Sequence, residues 1–475
     1  MVKLIDLLHA IDSEFSLEST LEREDRQIRI WGEENQKKIH NSKVLVLGEG
    51  LTAEKVLAGL AGLGIGNILV MGRADFTEND SFLTFDSFKN KYKTRQFTEA
   101  IKKINPYVNV RGVKSIFCKA LLDYFEFYPQ VIVDVTNDEF LKRKPLEYVC
   151  NSRKNIMLIS AYADSKRAFV SRFDKNKSNY EDILNNEGIS EASLEGGAIS
   201  GIAAGVILEE LRKHFFRLSD SDRLLEKRFE YFLFQEENQN LINETDESFE
   251  KILKQKKCLV VGAGGIGTYA ALDLALEGFK RVDILDYDRI SETNLNRQIL
   301  FYDRIGDFKA RVLSKRIKKI KRIKSKAFFR EKYKIDVGSE RFFEKNNYDI
   351  IFGCLDNIRA RYILNEIALK HNLIYIDGAT SPFRGSVVSY APGKSSCVAC
   401  NRNLKLVEEV RRSCNDADPS VVMSNMVIGG IMTGEALNIL KGHPPKRIVY
   451  NSNHNSRIYS EPQFPSRPEC RCYKN

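Results

Sequence analysis

Nowhere in the 475 residues is there a run of eighteen apolar side chains, so no segment suits a membrane-spanning helix. A secretory leader is missing too: the opening residues, MVKLIDLLHAIDSEF, carry acids where a signal peptide is basic and then apolar. Both absences predict a soluble, cytoplasmic protein. The phosphate-loop pattern GxxxxGK followed by Ser or Thr does not occur, which excludes a nucleotide site drawn from that one motif. The nine cysteines are odd in number and have no secretory context, arguing for thiols and a metal site over a disulfide framework.

What is present is a repeat. KVLVLGEGLTAEKVLAGLAGLGIGNILVM, from Lys43, parallels KCLVVGAGGIGTYAALDLALEGFKRVDIL, from Lys257. Each reads as an apolar strand, a glycine turn, a helix and a second strand, the opening of a βαβ unit. AIKKINPYVNV then matches RIKKIKRIKSK, VIVDVTND matches IIFGCLDN, and GGAISGIAAGVILEELRK matches SNMVIGGIMTGEALNILKG. The fold class follows: α/β, two tandem doubly wound domains, with residues 1–235 as one and 236–475 as the other. The acidic stretch NQNLINETDESFE is the expected seam. The net charge of +10 concentrates from Lys309 to Lys334; Ile317, Ile320 and Ile323 at helical spacing mark this as the wet face of a helix, which makes nucleic acid a minor candidate partner.

The halves are not equivalent. Gly48-Glu49-Gly50-Leu51 puts a carboxylate where a phosphate needs bare backbone N–H groups, whereas Gly262-Ala263-Gly264-Gly265-Ile266-Gly267 leaves that backbone open, so one nucleotide site is expected. With Asp286 closing the next strand, this turn also fits a dinucleotide site of an NAD-dependent oxidoreductase. The following segment, LDYDRISETNLNRQILFYDRIGDFKAR, supplies Asn294, Arg297 and Lys309, fixed polar and cationic groups that a triphosphate requires and hydride transfer does not. Asp356 follows the strand IIFGCL, at the end where α/β sheets place ligands. Arg26 has no counterpart before the second glycine turn, while Arg297, Lys309 and Asp356 lack good counterparts in the first half. Such complementary loss predicts one composite site in a pseudo-two-fold dimer made within one chain, a monomer.

GAGGIG, LDYD, NLNRQ, a lysine and CLDN in that order resemble the adenylating domain of ubiquitin-activating enzymes and of the bacterial ThiF, MoeB and HesA proteins. EDRQIRIWGEENQKKIHNSKVLVLG, from Glu24, is similar to the inactive partner domain of the eukaryotic enzymes. The resemblance covers most of the chain. It implies ATP-dependent adenylylation of the C-terminal glycine of a ubiquitin-like or sulfur-carrier protein. Asp286 would hold the ribose; Asn294, Arg297 and Lys309 the phosphates; Asp356 Mg2+; and Arg26 would reach across to the γ-phosphate. An adenylating enzyme for a tRNA base or short peptide, and a pure scaffold, are the other readings.

The cysteines divide by job. Cys397 and Cys400, with Cys470 and Cys472, are two separated pairs suited to a closed tetrahedral Zn2+ site; the one-residue spacer of the second pair departs from the CxxC of zinc-bearing relatives. Cys414, near Arg411 and Arg412, is the candidate thioester nucleophile and matches in position the cysteine of the compact activating enzymes. There is no room after Cys400 for the large cysteine domain of eukaryotic enzymes, nor after Lys441 for a ubiquitin-fold domain that would recruit a conjugating enzyme. Downstream conjugation and downstream sulfur transfer both stay open.

Overall fold

The computed structural model describes residues 17–74, 81–83, 92–175, 180–234, 246–329, 340–404, 419–468 and 470–473. Its first half contributes strands β1 (Lys43–Leu47), β2 (Asn67–Gly72), β3 (Asn109–Lys114), β4 (Val131–Asp134), β5 (Met157–Ala163), β6 (Arg167–Phe173) and β7 (Phe229–Phe232). The second contributes β8 (Lys257–Val261), β9 (Arg281–Leu285), β10 (Ala327–Phe328), β11 (Ile350–Gly353), β12 (Ile374–Thr380), β13 (Arg384–Tyr390), β14 (Arg447–Asn451) and β15 (Arg457–Glu461). The sheets run β3-β2-β1-β4-β5-β6-β7 and β10-β9-β8-β11-β12-β13-β14-β15. In each, the first five positions pair in parallel and the remainder antiparallel. Chain order reverses between β1 and β4 and again between β8 and β11, which opens a crevice at the carboxyl ends of those strands.

The helices that build the site are α1 (Leu17–His40), α2 (Leu51–Leu63), α3 (Lys93–Ile104), α4 (Gly197–Phe215), α5 (Gly265–Glu277), α6 (Lys309–Ile317), α7 (Ile358–Lys370) and α8 (Val422–Leu440). KVLVL and KCLVV are almost wholly buried because helices cover both faces of a parallel sheet. The two small-residue helices, α4 and α8, pack on each other at the centre. A side chain on Gly430 would strike Ala198 O and Ile202, so the approach depends on its absence. None of the helices among the described residues is long and apolar enough to cross a membrane.

The basic segment differs from its expected form. α6 ends at Ile317, and the chain continues in turns with Lys321 and Arg322 at φ of 42° and 50°. Ile317, Ile320 and Ile323 are all buried, so the apolar spacing marked the core-facing side of a helix and the turns after it. Residues 235–245, the core of the expected seam, lie outside the described residues.

A fully buried ion pair crosses the interface between the halves. Lys55 on α2 meets Asp273 on α5, both fully buried, and Lys55 also donates to Gly197 O. Burial raises the Asp273 carboxyl from 3.8 to about 7, with Lys55 opposing the rise. A folded-state value above the unfolded one means the folded protein holds that proton more tightly. The group therefore favours folding most below 3.8, and this contribution is lost as the pH rises through about 7. Lys55→Met strands the carboxylate, at a cost of roughly 3 to 5 kcal/mol when it is charged. The melting temperature of Lys55→Met should thus fall much further at pH 8.5 than at pH 5.5, where Asp273 takes up a proton; equal losses at both would show that the pair does not carry the interface.

Candidate functional site

β8 runs into the glycine turn at the crevice. Gly262 has φ of 95°, donates its N–H to Leu285 O at 2.8 Å, and has no room for a side chain beside Cys354 O. Gly267 likewise packs on Gly262 O, and Gly265 lies against the Asn425 side chain. Gly264 caps α5 without a side-chain acceptor and faces open space. The N-terminus of α5 thus begins at a residue with open space beside it and no side-chain cap, the arrangement that attracts an anion.

Around this space stand the groups singled out from the motifs. Asp286, beyond β9, accepts from Ala263 N at 2.6 Å and from Asp288 N at 2.8 Å. Burial pushes its carboxyl up, and Lys309 chiefly opposes that. Lys309 opens α6 and pairs with Asp288 at 3.0 Å. Arg297 is held by Thr293 O at 2.8 Å and Asn296 Oδ1 at 2.9 Å, while its own carbonyl accepts from the Tyr269 hydroxyl at 2.8 Å. Asn294 belongs to a reciprocal cap with Ser291, its Oδ1 accepting from Ser291 N at 3.1 Å, so its oxygen orients the loop. Asp356 is exposed, two residues beyond Cys354, and the next residue, Asn357, caps α7 by accepting from Ala360 N at 3.0 Å.

Arg26 arrives from the other half. Helix α1 docks on the loop between β9 and α6: Arg23 faces Glu292 at 3.8 Å, and Asn296 Nδ2 donates to Gln27 Oε1 at 3.4 Å. Gln27 is anchored in turn to Gln36 and to Leu63 O, at 2.9 and 3.0 Å. The result brings Arg26 close enough to Arg297 that burial and then the Arg26 charge push the Arg297 guanidinium down to about 10. Positive charge from both halves is thus brought into one neighbourhood, which an anion would neutralise. Of the docking residues, Gln27 lies inside the quoted EDRQIRIWG string and Arg23 immediately before it; neither was assigned a role from sequence.

The first half has the same frame filled with its own carboxylates. Gly48 N donates to Met71 O at 3.1 Å as Gly262 does to Leu285 O, so Gly72 stands where Asp286 stands. Glu49 swings into the space over Gly72 and accepts from Ala74 N at 2.8 Å, the counterpart of Asp288 N. Glu49 therefore occupies the Asp286 position and not the helix terminus. That terminus is taken by Glu195, which accepts from the Thr52 N–H and hydroxyl, both at 2.6 Å. No motif pointed to Glu195; a glutamate directly before the Gly196-Gly197 start of α4 was its only signal. Lys309 does have a counterpart, contrary to the sequence comparison: Lys93 opens α3 as Lys309 opens α6, and pairs with Glu54 at 3.2 Å. Strand register sets Asn137 at the Asp356 position, turned inward onto Ala163. A depression of about 860 Å3 does open here, beside Asp138, Glu139, Arg143 and Glu191, but its carboxylates are paired with Arg73 and Arg143 and it lacks the open glycine turn of the second half.

Cys397, Cys400, Cys470 and Cys472 come together, all four Sγ atoms within 4.8 Å of one another. Cys397–Cys470, Cys400–Cys472 and Cys470–Cys472 stand at 3.5, 3.7 and 3.2 Å. A tetrahedral thiolate site with metal–sulfur bonds of about 2.3 Å has edges of about 3.8 Å, so the set fits such an ion. The one-residue spacer of the tail pair is compatible with this closure. Cys414 lies outside the described residues.

Known proteins resemble this chain in parts. The SUMO-activating enzyme subunit 2 of Dictyostelium discoideum is 37% identical over 155 residues, 32% of this chain and 23% of its own length. The NEDD8-activating enzyme E1 catalytic subunit of Arabidopsis thaliana is 35% identical over 158 residues, 30% and 34% of the two lengths. The adenylyltransferase and sulfurtransferase MOCS3 of Caenorhabditis briggsae is 29% identical over 207 residues, 43% and 49%. The match thus spans between 23% and 49% of these curated relatives. The ThiF family model matches residues 24–224 and again 236–473, one match for each sheet, and the chain therefore belongs to the ThiF family.

Proposed function

We propose that this protein binds MgATP in the second-half crevice and adenylylates the C-terminal glycine of a ubiquitin-like or sulfur-carrier protein, residues 1–235 forming the degenerate half and 236–475 the active one. The observation that carries the reading is the approach of Arg26, from the first half, to Arg297, whose carbonyl is held by Tyr269 of α5. A hydride-transfer site has no use for that second cation, and a triphosphate does. Relatives named as activating enzymes and as adenylyltransferases add support.

In this mechanism Asp286 holds the ribose and the Gly262–Gly267 turn receives the phosphates at the α5 terminus. Arg297, Lys309 and Asn294 line the phosphate path and Arg26 closes it. Asp356 offers an exposed carboxylate to Mg2+, whose positive charge would offset that of the phosphates when bound. The glycine carboxylate attacks the α-phosphorus, forming the acyl–phosphate bond as the bond to pyrophosphate breaks. A carboxylate needs no general base, so catalysis is positioning and charge neutralisation by groups already in place. Cys414 is the candidate acceptor of the activated acyl group, and the four-cysteine cluster is a structural zinc site pinning the tail.

Three outcomes test these assignments. Pyrophosphate exchange into ATP should require a cargo ending in glycine, and Arg297→Ala, Asp356→Ala and Arg26→Ala should each lower it by roughly a hundredfold. Unchanged exchange in all three would sink the site. Elemental analysis of the purified protein should find about one zinc per chain, and truncation after Pro468 should remove it and lower the melting temperature; zinc retained by the truncated chain would exonerate the tail cysteines. Cys414→Ala should keep exchange while abolishing any thiol-sensitive cargo adduct on a non-reducing gel. An adduct that survives this substitution rules out Cys414, and a normal protein that never forms one is an adenylyltransferase serving a separate acceptor.

A further inference from the structure

A buried ionic chain connects the cysteine cluster with the loop that carries Asp356. Arg402 lies two residues beyond Cys400, at the end of the turn that brings Cys397 and Cys400 together. Its guanidinium pairs with Asp377 on β12 and donates to Asp377 O and Ser386 O, both at 3.0 Å, and to Ser386 Oγ at 2.9 Å. Asp377 is fully buried, accepts from the Tyr375 hydroxyl through Oδ1 at 3.0 Å, and pairs with Arg361 of α7 through Oδ2, the oxygen that also meets Arg402. Arg361 then donates to Gly378 O at 3.0 Å and to Leu355 O, the carbonyl immediately before Asp356. A second tie runs beside it: Asn365, also on α7, accepts from Ala399 N between the two cysteines at 2.9 Å.

The first half is an internal control for what the fold alone requires. Lys142 occupies the Arg361 position and donates to Ala161 O at 2.9 Å, as Arg361 does to Gly378 O. Its remaining bonds go to Asp134, and none reaches the carbonyl before Asn137. A lysine therefore suffices to hold the strand ends. The fork to the loop and the second arginine belong to the half in which that loop bears Asp356.

We propose that Arg402, Asp377 and Arg361 are positioning residues that fix the Asp356 loop against the four-cysteine cluster, so that the cluster governs magnesium binding at the nucleotide as well as stability. This rests on the assignment of Asp356 given above. The relay makes no contact with substrate. It acts through one backbone carbonyl, and the aim of a metal-ligating carboxylate depends on such outer contacts.

The test uses the full-length protein and a non-hydrolysable ATP analogue, whose binding is followed by calorimetry across a Mg2+ series, with zinc content and melting temperature measured alongside. Arg402→Met should raise the half-saturating Mg2+ concentration roughly tenfold with zinc content unchanged. Arg402→Lys keeps a charge near Asp377 but loses the fork to Asp377 O and Ser386 O, so it should move the same way by less. An unshifted Mg2+ response in whichever variant folds overturns the relay. If neither folds, the residues serve only the fold and the proposal also fails. Asp356→Ala is the reference: if its Mg2+ response matches that of the normal protein, the assignment of Asp356 itself is wrong, whereas a lost response beside an unaffected Arg402→Met removes the relay alone.

Discussion

Two arginines that repel one another are the constraint around which the second half is organised. Arg297 is half-buried and poorly solvated, and Arg26 adds a second positive charge near it, so the guanidinium sits below its ordinary range. Such a pair persists only because α1 is clamped from both sides, by Gln27 onto Gln36 and Leu63 and by Arg23 and Asn296 across the interface. The stability of that clamp holds the cations in place before any anion arrives. In the reaction proposed above, charge held in place in this way would need no reorganisation.

The architecture was legible where it depends on periodicity. Apolar runs, glycine turns and small-residue helices recur in the same order in both halves, and the sheets repeat their topology to match. Local geometry was legible where a motif demands a residue type at a fixed place, as at Gly262, whose positive φ and contact with Cys354 O admit no side chain. Contacts between segments far apart in sequence were not. Glu195 lies over 140 residues from Thr52, and nothing local to either predicts that one carboxylate will cap the other's helix.

Lys93 illustrates the opposite error. The residues around it carry no motif like that before Lys309, yet the backbone bonds from Lys93 N to Ala74 O and from Lys309 N to Asp288 O place the two lysines at one position of the shared frame. The basic segment after Lys309 went astray for a related reason. Isoleucines spaced by three continue to face the core through successive turns, so apolar spacing alone did not locate the end of the helix.

The self-filled crevice of the first half has a bearing on its history. Glu49 occupies space that Gly72 leaves vacant, and Glu195 takes the Thr52 N–H at the start of α2. Reversing either change alone gains nothing: an aspartate at Gly72 collides with Glu49, and removing Glu195 exposes a helix terminus whose ribose-holding neighbour is still missing. Recovery of a second working site would require several substitutions at once, each harmful without the others. The duplication behaves as a ratchet, with divergence of the two halves easy in one direction and blocked in the other.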